Sequence, residues 1–383
     1  MWAIIVGLVA QTAIILSTKM TYELRNLGLL GVASLLLCMT GLAAIEGIYY
    51  SLQWGIVATL IWGYAWQQCW QRRDTNRPTE FAPLYTSLGL ANRLTLLRGL
   101  LIAMTAGFIF QHPQFAFTIW IPALLYSVAA ILDRVDGFVA RRTKHSSLLG
   151  STLDNIFDAL GLIVAPILAV DLGKIHWSYL LVSVAYYAFQ LGLAWRRKNK
   201  RTIAALAPNK LRRTLAGFQM GYVAVALWPP FSSSITQASG FAFMLPVLLG
   251  FIVDWFIVTG RLQPRQTANY FDALKSFSYR YLLPSLRIVY LCFLAALVFN
   301  VEMSEVSLLS LSLGSILILL GCGARIGAVI ILLVLALQTP SLMITPALLA
   351  LLWLSSWIAL LGSGRFSAWR GDDDWVERQD GAS

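Results

Sequence analysis

Long apolar stretches separated by short polar segments run along almost the whole chain. The first three cover about residues 2–17, 28–48 and 52–70, and the charged segment QRRDTNRPTE at 71–80 then interrupts the pattern. Residues 81–91 mix aromatic and polar side chains, which predicts a short interfacial helix. Because a helix needs about 20 apolar residues to cross a bilayer, the pattern predicts several membrane-spanning helices.

Ten further apolar stretches follow in two groups. The six central ones lie at about 93–111, 115–135, 150–171, 177–195, 214–229 and 240–260. A charged segment separates them from four C-terminal ones, at about 283–300, 306–321, 326–338 and 344–362. The predicted fold class is an all-α integral membrane protein with a six-helix core, about three N-terminal helices and four C-terminal helices. The predicted domains are an N-terminal extension (1–80), the core (81–260) and a C-terminal extension with a polar tail (261–383).

Composition excludes an ordinary soluble protein. Hydrophobic residues make up 58% of the chain and charged residues 12%, whereas soluble domains contain about 25% charged residues. The net charge is +11. Because lysine and arginine concentrate in short loops, as in the cytoplasmic loops of membrane proteins, we expect no nucleic-acid partner.

Charge also predicts the orientation in the membrane. The basic segments 71–80, 134–144 and 196–213 alternate with the connections 111–114 and 230–239, which contain no lysine or arginine. Since Lys and Arg mark the cytoplasmic side, the six central helices are expected to start and end in the cytoplasm. Three preceding spans would place the N-terminus outside, and four following spans would place the C-terminus inside.

Four aspartates lie in the segment DRVDGFVARRTKHSSLLGSTLDNIFD at 133–158. Asp133 and Asp136 are three residues apart, and Asp154 and Asp158 are four apart, so each pair shares one face of a helix. Ionisable groups at membrane depth are costly and usually functional. Neighbouring carboxylates repel one another unless cations hold them, and oxygen-only ligands favour hard divalent ions. The segment therefore predicts two ions such as Mg²⁺ or Mn²⁺, and through them phosphate chemistry.

Small residues and one arginine complete the pattern. Gly137 and Ala140 leave room for a bulky ligand close to the helix backbone, and Gly150 would relieve crowding where a phosphate approaches. Arg141 can contact a phosphate through two parallel N–H groups. The alternative is a pair of helix ends with solvated acids, but eight defined positions over 26 residues argue against chance.

These positions read D-x2-D-G-x2-A-R-x8-G-x3-D-x3-D, which resembles the signature of the CDP-alcohol phosphotransferase (CDP-alcohol phosphatidyltransferase) family. The resemblance covers about residues 85–260. It implies a membrane enzyme of phospholipid biosynthesis with a six-helix core. Such an enzyme transfers a phospho-alcohol group from a CDP-alcohol, often CDP-diacylglycerol, to an acceptor hydroxyl and releases CMP. It further implies a homodimer, multi-pass insertion in a bacterial inner membrane, and a cytoplasmic active site.

The resemblance also implies roles for single residues. Asp133, Asp136 and Asp154 would bind metal, and Asp158 would bind metal and act as the general base. The small residues of the signature and Arg141 would face the cytidine diphosphate and its phosphates.

Two flanking segments also resemble the family. Upstream, ANRLTLLRG matches N-x2-T-x2-R, and the residues that would line the nucleotide side are Asn92, Thr95 and Arg98. The alternative is a capped helix start with an arginine that snorkels to the interface. Downstream, PNKLRRTLAGFQ resembles the basic stretch before the fifth core helix, and possible contacts to the acceptor phosphate are Lys210, Arg213 and Thr214. The alternative there is a positive-inside loop.

The C-terminal segments GCGARIGAVIILLVLAL and LLGSGRFSAW resemble DoxX-like four-helix membrane proteins. Other functions stay open at this point. The donor can be CDP-choline or CDP-ethanolamine with diacylglycerol as acceptor, and a multi-helix membrane transporter or a non-catalytic family relative are further alternatives. The sequence does not identify the acceptor alcohol.

Overall fold

A computed structural model of the chain describes residues 2–206, 210–262, 276–300, 303–338, 345–369 and 371. Within these residues the chain forms twelve α-helices and no β-strand, which confirms the all-α prediction. The helices are α1 Trp2–Ile45, α2 Ile48–Gln71, α3 Leu90–Ala106, α4 Trp120–Arg142, α5 Leu148–Asp171, α6 Leu180–Lys198, α7 Lys210–Ala226, α8 Ser233–Val258, α9 Leu283–Asn300, α10 Glu305–Leu320, α11 Ala324–Gln338 and α12 Pro346–Leu361.

Several helices have the length and composition of membrane spans. Among the described residues, four meet both conditions: Lys19–Ile45, Leu148–Asp171, Ser233–Val258 and Ser278–Leu297. Shorter apolar helices cover Thr214–Ala226, Glu305–Leu320, Ala324–Leu337 and Pro346–Leu361. Large apolar side chains are exposed along many of the helices, as expected where lipid rather than water covers them.

The first two predicted spans form one helix. The expected break between 2–17 and 28–48 is absent, because α1 runs continuously from Trp2 to Ile45, a length of about 66 Å at 1.5 Å per residue. Two α-helices rather than three therefore precede residue 81 in the described chain. The short interfacial helix predicted over 81–91 is also wrong, since this segment is irregular until α3 begins.

Helix α1 packs against α2 and reaches the segment that precedes α3. The Nε1 of Trp66 donates a hydrogen bond to the carbonyl oxygen of Leu24 at 3.2 Å. Glu23 accepts a hydrogen bond from the backbone N–H of Leu88 at 3.0 Å, so this part of α1 lies beside the segment that follows the basic loop. Because α1 does not turn back, the predicted separate helix over 2–17 is wrong, whereas the side of the membrane on which the N-terminus lies stays a prediction.

The chain divides into two compact units, residues 1–171 and 172–383. The first contains α1–α5 and the second α6–α12. The division at residues 80 and 260, drawn from composition, stays a prediction.

In the first unit, α3 is the central helix. It packs against α2, α4 and α5, and most of its side chains are buried, including the polar residues Asn92, Thr95 and Arg98. A buried arginine costs free energy unless it is paired, so the position of this helix depends on partners for Arg98.

In the second unit, α8 packs against α6, α7 and α12, and α11 packs against α10 and α12. An apolar core joins α8 to the C-terminal helices through residues such as Ile235, Tyr290, Leu311 and Ile331. The guanidinium of Arg325 is buried and donates to the carbonyl oxygen of Ala359 at 2.8 Å. The four predicted C-terminal helices are present as α9, α10, α11 and α12.

The connection between α3 and α4 is tied to the turn between α1 and α2. The carboxylate of Glu46 is buried. It accepts hydrogen bonds from the backbone N–H groups of Gln114 at 2.7 Å and Phe115 at 3.2 Å, one on each oxygen. A single side chain thus satisfies two backbone donors of a non-helical segment.

We expect Glu46→Gln to lower the thermal stability of the purified protein. The amide replaces one acceptor oxygen by a donor, so one backbone N–H loses its partner at a cost of about 1–3 kcal/mol. The measurement is thermal unfolding in detergent, with the exposed Glu80→Gln as control. An unfolding temperature for Glu46→Gln equal to that of the control would contradict the expected role.

Candidate functional site

The four aspartates meet where three helices of the first unit pack together. Asp133 and Asp136 lie in the second half of α4, and Asp154 and Asp158 lie in the first half of α5. The short connection between these helices turns at Lys144, whose φ is +51°. Helix α3 packs against both α4 and α5, so the two carboxylate pairs face a third helix as well as each other.

Arg98 of α3 lies at the centre of the cluster. Its Nη1 donates to Asp133 and lies 3.0 Å from Oδ1 of Asp154 and 3.6 Å from Oδ2 of Asp136. Its Nη2 lies 3.1 Å from Oδ1 of Asp158. The Arg98 side chain is 1% exposed. The alternative of a snorkelling arginine is therefore wrong, because the guanidinium points into a buried ionic cluster.

Three of the carboxylates are close enough to share a cation. Asp133, Asp154 and Asp158 each place one oxygen within 4.8 Å of the others. The side chains of Asp154 and Asp158 are each 47% exposed, so a substrate can reach them. Oxygen donors of this kind suit hard divalent cations. The residues present therefore fit a divalent metal ion.

Asp136 lies deeper than the other three carboxylates. Its side chain is 6% exposed, and the hydroxyl of Thr95 donates a hydrogen bond to its Oδ2 at 2.8 Å. Thr95 thus holds the innermost carboxylate in place. The predicted role of Asp136 as a metal ligand stays a prediction, and so does the predicted nucleotide contact of Thr95.

Asn92 connects three segments around the start of α3. Its Nδ2 lies 2.7 Å from the carbonyl oxygen of Leu88, 3.0 Å from Oδ1 of Asn76 and 3.1 Å from Oγ of Ser147. The backbone N–H of Gly150 donates to the same Ser147 hydroxyl at 3.0 Å. A Cβ atom on Gly150 would collide with Oδ1 of Asn92. The glycine thus permits close packing of α5 on α3.

The loop between α4 and α5 packs on the irregular segment before α3. The rings of Tyr85 and His145 stack with centroids 3.8 Å apart, and the Tyr85 hydroxyl donates to the carbonyl oxygen of Ser146 at 3.2 Å. The backbone N–H of Leu148 donates to the carbonyl oxygen of Arg77 at 2.9 Å. Burial lowers the pKa of the His145 imidazole, which favours the neutral form of the stacked ring.

The remaining residues of the signature are on the accessible side of α4. Gly137 and Ala140 are half-buried and Arg141 is exposed. Among the described residues, a Cβ atom on Gly137 would meet only the guanidinium of Arg141, with Nη1 at 3.4 Å. This leaves open space beside the backbone next to a cationic side chain, as a phosphate ligand requires.

The basic residues predicted to contact the acceptor belong to the second unit. Thr214 is half-buried in α7, and the side chains of Lys210 and Arg213 lie outside the described part of the chain. Arg212, which was not predicted, forms an ion pair with Asp254 of α8 at 2.7 Å.

Sequence reasoning also missed the residues that support the site. Asn76 is fully buried and, with Ser147, positions Asn92. Both residues lie in polar segments that sequence pattern alone classifies as loops. The spacing of the aspartates predicted that each pair shares a helix face. No local feature of the sequence indicated that Asn76 and Ser147 support the site.

The sequence of the chain is similar to those of known proteins. The model of the CDP-alcohol phosphatidyltransferase family matches residues 88–256. A Salmonella choleraesuis protein named CDP-diacylglycerol–glycerol-3-phosphate 3-phosphatidyltransferase is 32% identical over 143 residues, which are 36% of this chain and 75% of the relative. A Mycobacterium tuberculosis protein named cardiolipin synthase is 26% identical over 199 residues, 50% of this chain and 90% of the relative. No solved structure shows a significant match.

We expect Gly150→Ala to destabilise the protein by about 1–3 kcal/mol, because the added methyl group overpacks against Asn92. Combining it with Asn92→Ala should cost less than the sum of the two single changes, since the collision is then removed. Thermal unfolding of the two single variants and the double variant measures this coupling, with Ser151→Ala as the neighbouring exposed control. Strictly additive effects would show that the two residues do not press on each other.

Proposed function

Because the chain belongs to the CDP-alcohol phosphatidyltransferase family, we propose that it transfers a phosphatidyl group from CDP-diacylglycerol to the hydroxyl of an acceptor alcohol, with release of CMP. The observation that carries this proposal is the meeting of Asp133, Asp154 and Asp158 within 4.8 Å, at the positions of the family signature. The chain is a membrane-bound phosphotransferase, and the transporter alternative is set aside.

The relatives favour a liponucleotide donor. The Salmonella relative carries CDP-diacylglycerol in its name, and the name of the mycobacterial relative refers to a phospholipid product. Both support CDP-diacylglycerol over CDP-choline or CDP-ethanolamine as the donor of this chain. A lipid donor also suits a site formed by helices whose outer faces are apolar.

In the proposed reaction, Asp158 is the general base. Asp158 accepts the proton of the acceptor hydroxyl, whose oxygen then attacks the phosphorus that bears the lipid alcohol. A new P–O bond forms to the acceptor, the P–O bond to CMP breaks, and CMP leaves with the electron pair. Asp158 suits the role of base because its side chain is half-exposed and its neighbours hold it in one position.

Divalent ions, Mg²⁺ or Mn²⁺, are the proposed cofactors. Asp133, Asp136, Asp154 and Asp158 would hold two of them, and such ions neutralise phosphate charge during phosphoryl transfer. Arg141 lies beside the space at Gly137 and is placed to bind a phosphate of the donor. Gly137 and Ala140 leave room beside α4 for the nucleotide to approach, whereas Gly150 faces Asn92 and allows α5 to pack on α3.

We further propose that the active site faces the cytoplasm and that the enzyme works as a homodimer in a bacterial inner membrane. The basic segments at 71–80 and 134–144 support the orientation. The bacterial relatives support the compartment. Lys210, Arg213 and Thr214 stay candidates for the acceptor phosphate, and Asn92 and Thr95 for the nucleotide side.

We expect Asp158→Asn to abolish CMP release, because an amide cannot accept the proton of the acceptor. The assay is CMP formation from labelled CDP-diacylglycerol with a panel of acceptor alcohols, and lipid analysis identifies the product. Asn155→Ala, an exposed neighbour on the same helix, serves as control for folding and should retain activity. Turnover of Asp158→Asn at the wild-type rate would remove the general-base assignment.

Chelation should stop the reaction reversibly. We expect EDTA to remove CMP release, and Mg²⁺ or Mn²⁺ added in excess to restore it, because the carboxylate cluster binds the ions that the phosphates need. Asp154→Asn should require a higher metal concentration for half-maximal rate. Full activity in EDTA would contradict the metal requirement.

A further inference from the structure

Arg98 has an unusual position for a residue expected to line a nucleotide site. It is 1% exposed, and its two terminal nitrogens contact all four carboxylates of the signature. Nη2 also donates to the backbone carbonyl oxygen of Asp154 at 3.0 Å. Nε has no hydrogen-bond partner among the described residues. A nucleotide could touch this guanidinium only after the carboxylates moved away.

The contacts of Arg98 overlap with the site for divalent ions. Asp133, Asp154 and Asp158, which lie close enough to share a cation, are also the carboxylates in closest contact with the guanidinium. One positive charge faces four negative ones. Opposite charges a few ångströms apart attract strongly where water is largely excluded. The guanidinium and a metal ion therefore compete for the same carboxylates.

We propose that Arg98 is the resident counter-cation of the carboxylate cluster. It holds α4 and α5 together on α3 when no divalent ion is bound, and it lowers the affinity of the cluster for divalent ions. This inference rests on the proposed function, since the ions are those of the transfer reaction. It assigns Arg98 a positioning role rather than direct contact with the nucleotide.

The direction in which metal affinity changes when Arg98 is replaced distinguishes a counter-cation from a residue that only supports the fold. If Arg98 only supported the fold of the cluster, its removal would loosen the carboxylates and weaken metal binding. If it competes for their charge, its removal strengthens metal binding while the metal-free protein becomes less stable. A counter-cation therefore predicts opposite changes in metal affinity and in metal-free stability.

The test measures Mn²⁺ binding by electron paramagnetic resonance and thermal unfolding in EDTA and in Mn²⁺. For Arg98→Gln we expect Mn²⁺ to bind about tenfold more tightly or better, since one repelling charge is gone. The unfolding temperature should fall in EDTA, and the rise on adding Mn²⁺ should exceed that of the wild type. Arg98→Lys keeps the charge and should stay close to the wild-type affinity.

Arg93→Gln is the matched control. Arg93 lies on the same helix, is partly exposed and pairs with Glu23 at 3.3 Å, outside the cluster. Its replacement should leave Mn²⁺ affinity unchanged. Unchanged or weaker Mn²⁺ binding by folded Arg98→Gln would overturn the proposal.

If Arg98→Gln does not fold, Asp136→Asn can be compared with the double variant Arg98→Gln/Asp136→Asn. The double variant loses one charge of each sign and keeps the three carboxylates that share a site, so it should bind Mn²⁺ more tightly than Asp136→Asn alone. Equal or weaker binding would again overturn the proposal.

The same titrations distinguish failure of this inference from failure of the proposed function. If the wild type and Asp154→Asn bind Mn²⁺ equally, the cluster is not a metal site and the metal requirement falls. If binding depends on Asp154 but does not respond to Arg98, only the counter-cation role is wrong.

Discussion

The buried guanidinium of Arg98 and the carboxylates around it are the interaction on which the first unit depends. Three helices meet at this point, each carrying charge that could not be buried alone. The arginine comes from α3 and the acids from α4 and α5, so separating these helices would leave the buried side chains of Arg98 and Asp136 without their charged partners. The interaction therefore fixes the carboxylates where a substrate can reach two of them, because Asp154 and Asp158 remain half-exposed.

A second group of polar contacts holds the start of α3 against the segments that precede α3 and α5. Asn92 joins the segment before α3 to the loop before α5 through Asn76 and Ser147. The stacking of Tyr85 on His145 covers the same junction. Such contacts matter because phosphoryl transfer depends mainly on positioning and on charge stabilisation. An enzyme of this family therefore needs rigid helix ends more than it needs many reactive groups.

Much of the fold and of the carboxylate cluster could be predicted from the sequence, and the features that could not be predicted have physical reasons. Spacing alone placed each aspartate pair on one helix face, because helical periodicity is local. The partner of those aspartates is 35 to 60 residues distant in sequence, and periodicity carries no information about such contacts. The prediction of a helix break between residues 17 and 28 was wrong for another reason. Its lysine, glutamate and arginine are good helix formers, and Glu23 finds partners in Leu88 and Arg93, so charge did not end the helix.

The most direct test of the account is a structure of the protein determined with Mn²⁺ and CDP-diacylglycerol, in which anomalous scattering locates the metal. The account predicts manganese among the carboxylates of Asp133, Asp154 and Asp158, with the donor diphosphate beside it. A structure in which the cytidine compound is bound but manganese is absent from this cluster would contradict it.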